Sequence, residues 1–240
     1  IFLFMLFCFS KKHLKYWLSV VCVIIMAALV PTSRLFVAGG GALEEWFLPI
    51  YFYFLILLKQ VIETNRLTTK QNILIGCFGA IAFWSKYTIA SFLVFAVIAC
   101  FCIFLIKKQY KELLKSFMFM FLGFVIVTAC VFIYFLATNS VKYLIDCYFY
   151  DNLVRYTSGF CFPKFHFLNW FNRIVIVLGI IFSIIKFKKS ELFVTGSVLL
   201  TILILSITES RVYAWFVIFS FIAYYLVYII QVLNNASYSK

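Results

Sequence analysis

The chain has 240 residues, of which 66% are hydrophobic and only 12% are charged, and its mean hydropathy is +1.09. This composition excludes an ordinary soluble globule and is typical of a protein that lies in a bilayer. A formal net charge of +13 would suggest nucleic acid as the partner of a soluble protein, so the placement of the charges has to decide what the basic excess means.

Continuous apolar runs separated by short charged clusters predict an all-α fold, a polytopic bundle of transmembrane helices. A barrel would instead need alternating segments of roughly ten residues. The chain opens at Ile1 inside an apolar run, so we expect a fragment that begins partway through a helix and lacks its N-terminal helices. With this half-span, about nine crossings are predicted in a single membrane domain over residues 1–240. They are the uncharged runs 1–9, 16–33, 46–58, 71–85, 87–106, 116–141, 174–185, 192–208 and 212–239.

Three of these runs are short for a bilayer, and two of them are expected to be longer as helices. The run 46–58 would continue past Lys59, whose long side chain can snorkel to the surface. The run 174–185 would begin near Phe167.

The runs 71–85 and 87–106 predict either one long helix or two crossings, because only Ser85-Lys86-Tyr87-Thr88 interrupts them. Basic residues flank both ends, so the chain must return to the same face, and we expect a hairpin. The first arm of about 15 residues would span roughly 22 Å at 1.5 Å per residue. Lys86 is therefore expected at the outer end, somewhat below the membrane surface.

The charges assign the two faces of the predicted bundle. If the crossings alternate, fourteen of the 21 basic residues share one face, which the positive-inside rule makes cytoplasmic. They are Lys11, Lys12, Lys15, Lys59, Arg66, Lys70, Lys107, Lys108, Lys111, Lys115, Lys186, Lys188, Lys189 and Lys240. The outer face receives most of the acids, which are Glu44, Glu45, Asp146, Asp151 and Glu209. The basic excess is thus a topology signal, and we expect no nucleic-acid partner.

The segment 142–173 carries charges among many aromatic residues and is too polar and interrupted to cross the membrane. We expect an outer interfacial segment of one or two amphipathic helices, since Tyr, Phe and Trp prefer that depth. The 32 Phe residues as a whole are set aside as a coding bias and not taken as a binding surface. Cys147 and Cys161 share this segment and either form a disulfide in an oxidising compartment or remain free thiols.

A glycine-rich turn begins the run that contains Trp46. Three glycines allow a tight turn, and Glu44 and Glu45 would start the next helix, where the positive end of its dipole favours them. The string GGGALEEWFLP, followed by an aromatic span, a basic turn and GCFGAIAFWSKYT, resembles bacterial membrane glycosyltransferases of the GT-C superfamily. These are relatives of the protein O-mannosyltransferases and the lipid A aminoarabinose transferases. The resemblance covers residues 35–106 in detail and the remainder by span pattern alone.

The resemblance implies transfer of a sugar, with inversion, from a polyprenyl-phosphate donor to a glycan, lipid or protein acceptor. The reaction would take place at the outer face of a bacterial inner or plasma membrane. The family carries its catalytic acid in its first outer loop, which we expect upstream of Ile1. No residue of this chain is therefore assigned as the general base.

The outer charges still fit such a mechanism. An acceptor hydroxyl needs a carboxylate, and a departing lipid phosphate needs cations. Glu44 and Glu45 would orient the acceptor, bind a divalent cation or support the missing acid, and the interfacial segment would close the site. The predicted carboxylates are Glu44, Glu45, Asp146 and Asp151, and the predicted phosphate-binding residues are Lys86, Arg155 and Arg211.

Asp151 and Arg155 lie one turn apart if their stretch is helical and would then close the site together. Simpler interpretations of the cations stay open. Snorkelling of Lys86 to lipid headgroups is as good an interpretation as a phosphate site, and Arg211 has a plain surface partner in Glu209.

A transporter or flippase for lipid-linked glycans or small solutes is an alternative from another class. Such a protein should place charged or broken helices near the bilayer midplane, often in two repeated halves. The predicted spans are almost uncharged and the acids gather at one face, which favours surface chemistry. A noncatalytic membrane assembly subunit is a third alternative.

Overall fold

A computed structural model describes residues 1–32, 43–85, 87–155, 192–207 and 214–238, and every regular element within these ranges is helical. The α-helices are α1 (Phe2–Ser10), α2 (Tyr16–Leu29), α3 (Leu43–Thr64), α4 (Thr69–Ser85), α5 (Tyr87–Ile106), α6 (Tyr110–Ala137), α7 (Val141–Leu144), α8 (Leu192–Ile207) and α9 (Ala214–Tyr238). A 3₁₀ turn, Val30–Thr32, follows α2, and α7 continues directly into a π-helix, Ile145–Arg155. The all-α prediction is confirmed for the described residues.

Three of the described helices contain segments long and apolar enough to cross a membrane. These segments are Trp46–Thr64 in α3, Ile89–Ile106 in α5 and Tyr110–Ala137 in α6. Shorter apolar segments form α2 and the Val217–Gln231 part of α9. The chain is therefore described as a helical membrane protein, while the count of about nine crossings stays a prediction. The predicted crossing 174–185 lies outside the described residues.

Helices α3 and α5, which are two crossings apart in the chain, run in the same direction. At one end, the Tyr51 hydroxyl of α3 donates a hydrogen bond of 3.4 Å to the carbonyl of Ile89 in α5. At the other end, Lys107, which directly follows α5, donates from Nζ to the carbonyl of Ile62 in α3 over 2.7 Å. The starts of α3 and α5 thus meet at one end of the bundle and their C-terminal ends meet at the other, so the two helices are parallel, as the predicted alternation requires of crossings two apart.

The predicted hairpin is also present. Helix α4 ends at Ser85, α5 begins at Tyr87, and the two helices pack along each other. Lys86 itself lies outside the described residues. The prediction that the run from Trp46 continues past Lys59 is likewise confirmed, because α3 ends only at Thr64.

One end of the bundle collects basic residues, and we call it the basic end. It is formed by the turns between α1 and α2, α3 and α4, and α5 and α6. It carries Lys11, Lys12, Lys15, Lys59, Arg66, Lys70, Lys107, Lys108, Lys111 and Lys115. The Tyr228 ring of α9 joins these turns, since it lies 5.4 Å from the His13 ring and 5.4 Å from Lys59 Nζ. These are ten of the fourteen residues predicted to share a face, and the other four lie outside the described residues.

The core is built around α3, which packs against α1, α5 and α9. Phe52 of α3 is fully buried and meets the Phe2 and Phe9 rings of α1 edge-on, at 5.5 and 5.7 Å. Phe9 in turn stacks on Tyr224 of α9 at 5.8 Å. By contrast, α6 lies at the margin of the described bundle and exposes most of its apolar side chains, as expected of a helix that faces lipid.

Helices α4 and α6 are in the closest contact, along a line that we call the glycine seam. A Cβ atom at Gly76 would overlap the carbonyl of Met120, and one at Gly123 would overlap the carbonyl of Ile73. Small residues allow membrane helices to approach in this way. Further along, Trp84 of α4 is hydrogen-bonded to Thr128 of α6. Residue numbers therefore increase in the same direction along both helices, which are parallel. The seam thereby places the C-terminal end of α4 next to α6 and α7.

Candidate functional site

A pocket of about 610 Å³ lies at the end of the bundle opposite the basic end. It is an open pocket lined by the C-terminal end of α4, the C-terminal half of α6, and α7 with the start of the π-helix. Its polar and aromatic lining consists of Trp84, Ser85, Phe135, Tyr143, Cys147 and Tyr148, and aliphatic side chains complete the wall. We call it the aromatic pocket. Its volume and its mixture of apolar walls with a few polar groups are those of a small-molecule site.

The indole of Trp84 is held in a fixed orientation at this pocket. Its Nε1 donates a hydrogen bond of 3.1 Å to Thr128 Oγ1 in α6. Its ring centroid lies 5.2 Å from that of Tyr148, 6.1 Å from that of Phe149 and 5.6 Å from that of Phe132. Aromatic contacts of this kind add to the energy of burial. The wall that Trp84 and Tyr148 present to a ligand is therefore formed before the ligand binds.

Two predicted site residues, Lys86 and Asp146, are next in the sequence to residues that line the aromatic pocket. Lys86 directly follows Ser85, which lines the pocket, although Lys86 itself lies outside the described residues. Asp146 precedes the lining residue Cys147 and is exposed on the π-helix. The end of α4 and the start of the π-helix therefore meet at this pocket, while the roles assigned to Lys86 and Asp146 stay predictions.

Asp151 and Arg155 belong to the same π-helix as Asp146. The structure describes their backbone only, so their predicted role in closing the site stays a prediction. The interfacial segment is helical from Val141 to Arg155, in agreement with its prediction, but mostly in π geometry, in which hydrogen bonds join residues i and i+5. π-helical segments occur frequently at functional sites.

Glu44 and Glu45 lie in the first turn of α3, where the sequence places them. The structure describes their backbone and not their side chains. Because Tyr51, two turns further along α3, is bonded to Ile89 near the start of α5, the first turn of α3 lies at the same end of the bundle as the aromatic pocket. Arg211 lies outside the described residues.

The aromatic residues around the pocket are what the sequence analysis missed. Because Phe was treated as a compositional bias, no role was predicted for the neighbouring Trp and Tyr residues either. The available signal was Trp84-Ser85-Lys86, an aromatic and two polar residues at the end of an apolar helix. Trp and Tyr concentrate at the membrane–water interface, and Trp84, Tyr143 and Tyr148 all lie at such a helix end.

A second cavity of about 300 Å³ runs along the other side of the glycine seam, between α3, α4, α5 and α6. Its lining is wholly apolar and includes Gly79, Phe83, Val97 and Phe121. A Cβ atom at Gly79 would meet no atom within 4 Å, so the glycine leaves open space there. We call this cavity the apolar groove, and a hydrocarbon chain is the kind of ligand that such a lining suits.

No cluster of three or more His, Cys, Asp or Glu side chains able to hold a metal ion occurs among the described residues. Cys147 is exposed at the aromatic pocket, whereas Cys161 lies outside the described residues, so the disulfide between them stays a prediction. The divalent cation considered for Glu44 and Glu45 likewise stays untested, because their side chains are not described.

No protein-family model, curated protein or solved structure matches this chain.

Proposed function

We propose that this protein transfers a sugar from a polyprenyl-phosphate donor to an acceptor at the end of the membrane domain opposite the basic end. The observation that carries the proposal is the aromatic pocket, where Trp84 and Ser85 at the end of α4 meet Tyr148 and Cys147 of the π-helix. Flat aromatic faces suit the C–H faces of a sugar ring, and Ser85 and Tyr143 offer hydroxyl groups for hydrogen bonding.

The apolar groove supports a donor with a long hydrocarbon chain. It uses the same two helices as the aromatic pocket, α4 and α6, but runs within the apolar part of the bundle. Phe83 lines the groove, and its ring lies 5.7 Å from the Tyr148 ring at the pocket. A lipid chain along the groove would therefore bring its phosphate close to the end of α4.

The charged residues near the pocket fit the two requirements of such a reaction, which are stabilisation of the leaving phosphate and orientation of the acceptor hydroxyl. Lys86 follows the lining residue Ser85 and would stabilise the negative charge on the departing lipid phosphate. Asp146, with Glu44 and Glu45 at the same end of the bundle, would orient the acceptor hydroxyl. The proposal agrees with the resemblance to GT-C glycosyltransferases and assigns no described residue as the general base.

Donor binding tests the proposal first. The protein in nanodiscs is exposed to a polyprenyl-phosphate hexose that carries a diazirine in its lipid chain, and adducts are mapped by mass spectrometry. We expect adducts at the apolar groove, on Val97 or Phe121, that unlabelled donor removes and phosphatidylglycerol does not. Adducts that both lipids remove equally would show general lipid contact and overturn the donor assignment.

Transfer is measured next, from a radiolabelled polyprenyl-phosphate hexose to a lipid extract. We expect Trp84→Ala to lower the rate by about tenfold, which corresponds to about 1.4 kcal/mol of transition-state stabilisation. Trp17→Ala is the matched control, because Trp17 is an exposed tryptophan at the start of α2 near the basic end. Equal rates for Trp84→Ala and the wild type would remove the aromatic pocket from the reaction.

A further inference from the structure

Three polar groups are buried without hydrogen-bond partners near the basic end of α4 and α6. The Asn72 side chain is fully buried, and neither its Oδ1 nor its Nδ2 has a partner among the described residues. Ser116 is also fully buried, and its Oγ has no partner there either. The Oε2 atom of Glu112 is the third such group. Buried polar groups in native proteins are almost always hydrogen-bonded, so these three require a ligand.

The register of the glycine seam places these groups opposite one another. Gly76 of α4 meets Met120 of α6 at the closest approach of two parallel helices. Asn72 and Ser116 each lie one turn before that contact, and Glu112 lies one further turn back on the same face of α6. The three groups therefore line one stretch of the seam, in the first turns of α4 and α6.

The hydrogen-bonding capacity of the groups selects the ligand. The Asn72 Nδ2 atom can only donate and its Oδ1 can only accept, so the ligand must do both. A cation would satisfy the oxygens but meet the amide hydrogens of Asn72, with Lys70, Lys111 and Lys115 close by in the sequence. An anion would meet the Glu112 carboxylate. Water both donates and accepts and carries no charge, so it alone among these suits all three groups.

We propose that ordered water binds in the glycine seam and bridges Asn72 of α4 to Ser116 and Glu112 of α6. The water joins the two helices at the basic end, as the hydrogen bond from Trp84 to Thr128 joins them at the other end. Hydrogen bonds between polar side chains contribute to the association of membrane helices. The bridge therefore selects the register in which Gly76 meets Met120. The inference is independent of the proposed transferase activity.

Radiolytic footprinting of the protein in nanodiscs tests the proposal, because hydroxyl radicals that form from a bound water oxidise the residue beside it. Met120 and Met26 are a matched pair, since both are buried but only Met120 is next to the seam. We expect Met120 to be oxidised faster than Met26. Oxidation of Met120 at the rate of Met26 would overturn the proposal.

A variant separates bound water from bulk water that penetrates the bundle. Asn72→Leu keeps the branched shape of the side chain but replaces the amide oxygen and nitrogen with methyl groups, so Met120 oxidation should fall to the level of Met26. Unchanged Met120 oxidation in a folded Asn72→Leu protein would mean bulk access and contradict the bridge. If this variant does not fold, Ser116→Ala serves in its place, because it removes one hydroxyl without adding volume. Replacing sodium and potassium by choline should leave the labelling unchanged, and a dependence on either ion would assign the site to a cation instead.

Discussion

Trp84 of α4 donates a hydrogen bond from its indole Nε1 to the hydroxyl of Thr128 in α6, across 3.1 Å. This bond joins the two helices at the point where the glycine seam opens into the aromatic pocket. It also fixes the plane of the one tryptophan that lines the described part of the pocket. The stability of the helix pair and the shape of the candidate site therefore depend on the same contact.

Thr128→Val removes this acceptor while preserving the shape of the side chain. Hydrogen bonds between membrane helices contribute about 0.6 kcal/mol on average, so we expect only a small fall in thermal stability. The indole should nevertheless become mobile, with a lower fluorescence anisotropy for Trp84 and a lower transfer rate. Thr138→Val is the control, since the Thr138 hydroxyl bonds within its own chain segment to the carbonyl of Tyr134. If both variants leave transfer and anisotropy unchanged, the orientation of Trp84 is not part of the site.

Two glycines of α4 are expected to respond in opposite ways to the same substitution. Gly76→Ala places a methyl group against the backbone of Met120, which cannot move without separating the helices, so we expect a loss of about 1–3 kcal/mol. Gly79→Ala meets open space and should be neutral or should raise stability by up to about 1 kcal/mol through helix propensity. Thermal unfolding in detergent measures both. Equal effects of the two substitutions would contradict the glycine seam.

The sequence predicted the helices better than it predicted their ends. The uncharged run 87–106 coincides with α5, because charged residues flank it directly. The run 116–141 begins too late, since α6 starts at Tyr110 and carries Lys111, Glu112 and Lys115 in its first turns. A helix can extend beyond the membrane, and charges in its end turns are then part of it. An uncharged run measures the apolar length of a helix and not its hydrogen-bonded length.

The site was less predictable than the helices because it depends on which helices touch. Charge alternation gives the direction of each helix but not its neighbours. The pairing of α4 with α6 comes from Gly76 and Gly123, which permit a close approach only when they face each other. Only this pairing brings Trp84 and Ser85 to Tyr148. Asp146, which was assigned by its charge, lies at the end opposite the basic end, whereas the aromatic wall beside it was not predicted.

Glu44 and Glu45 provide a test of the proposed chemistry. We expect Glu44→Gln or Glu45→Gln to abolish transfer from a polyprenyl-phosphate sugar without loss of expression, because an amide cannot act as a charged acceptor for the incoming hydroxyl. Glu63→Gln is the control at the basic end, where Glu63 pairs with Lys59 at 3.3 Å and is half-exposed. Wild-type transfer rates in both Glu44→Gln and Glu45→Gln would remove these carboxylates from the site.

His13 is expected to make stability depend on pH. Burial against the rings of Phe9 and Tyr228 lowers its pKa below the ordinary value of 6.5, and the positive charges of Lys59 and Lys12 lower it further, whereas Glu63 raises it. The unfolded chain then binds a proton at higher pH than the folded chain does, so stability is fully present above about pH 6.5 and falls as the pH drops through the lowered pKa.

The measurement for His13 is the thermal midpoint of the wild type and of His13→Asn, recorded at pH 8 and at pH 5.5. Asn is polar and does not titrate in this range, so the variant should lose less stability on acidification than the wild type does. Parallel losses in the two proteins would assign the acid sensitivity to other groups.

Lys107 is expected to contribute more to the stability of the bundle than its neighbour Lys108. Its Nζ donates to the carbonyl of Ile62 over 2.7 Å and also to Asn65 Oδ1, so it holds the end of α5 on the last turn of α3. A cation is favoured there because the carbonyl groups at a helix C-terminus carry partial negative charge. Lys107→Met keeps the length of the side chain but loses both hydrogen bonds, and we expect the free energy of unfolding to fall by about 1–3 kcal/mol.

The control is Lys108→Met. Lys108 is exposed, so the free energy of unfolding of this variant should stay within about 0.5 kcal/mol of the wild type in the same unfolding assay. Equal losses in the two variants would mean that net charge at the basic end, and not the contact with α3, is what stabilises the bundle.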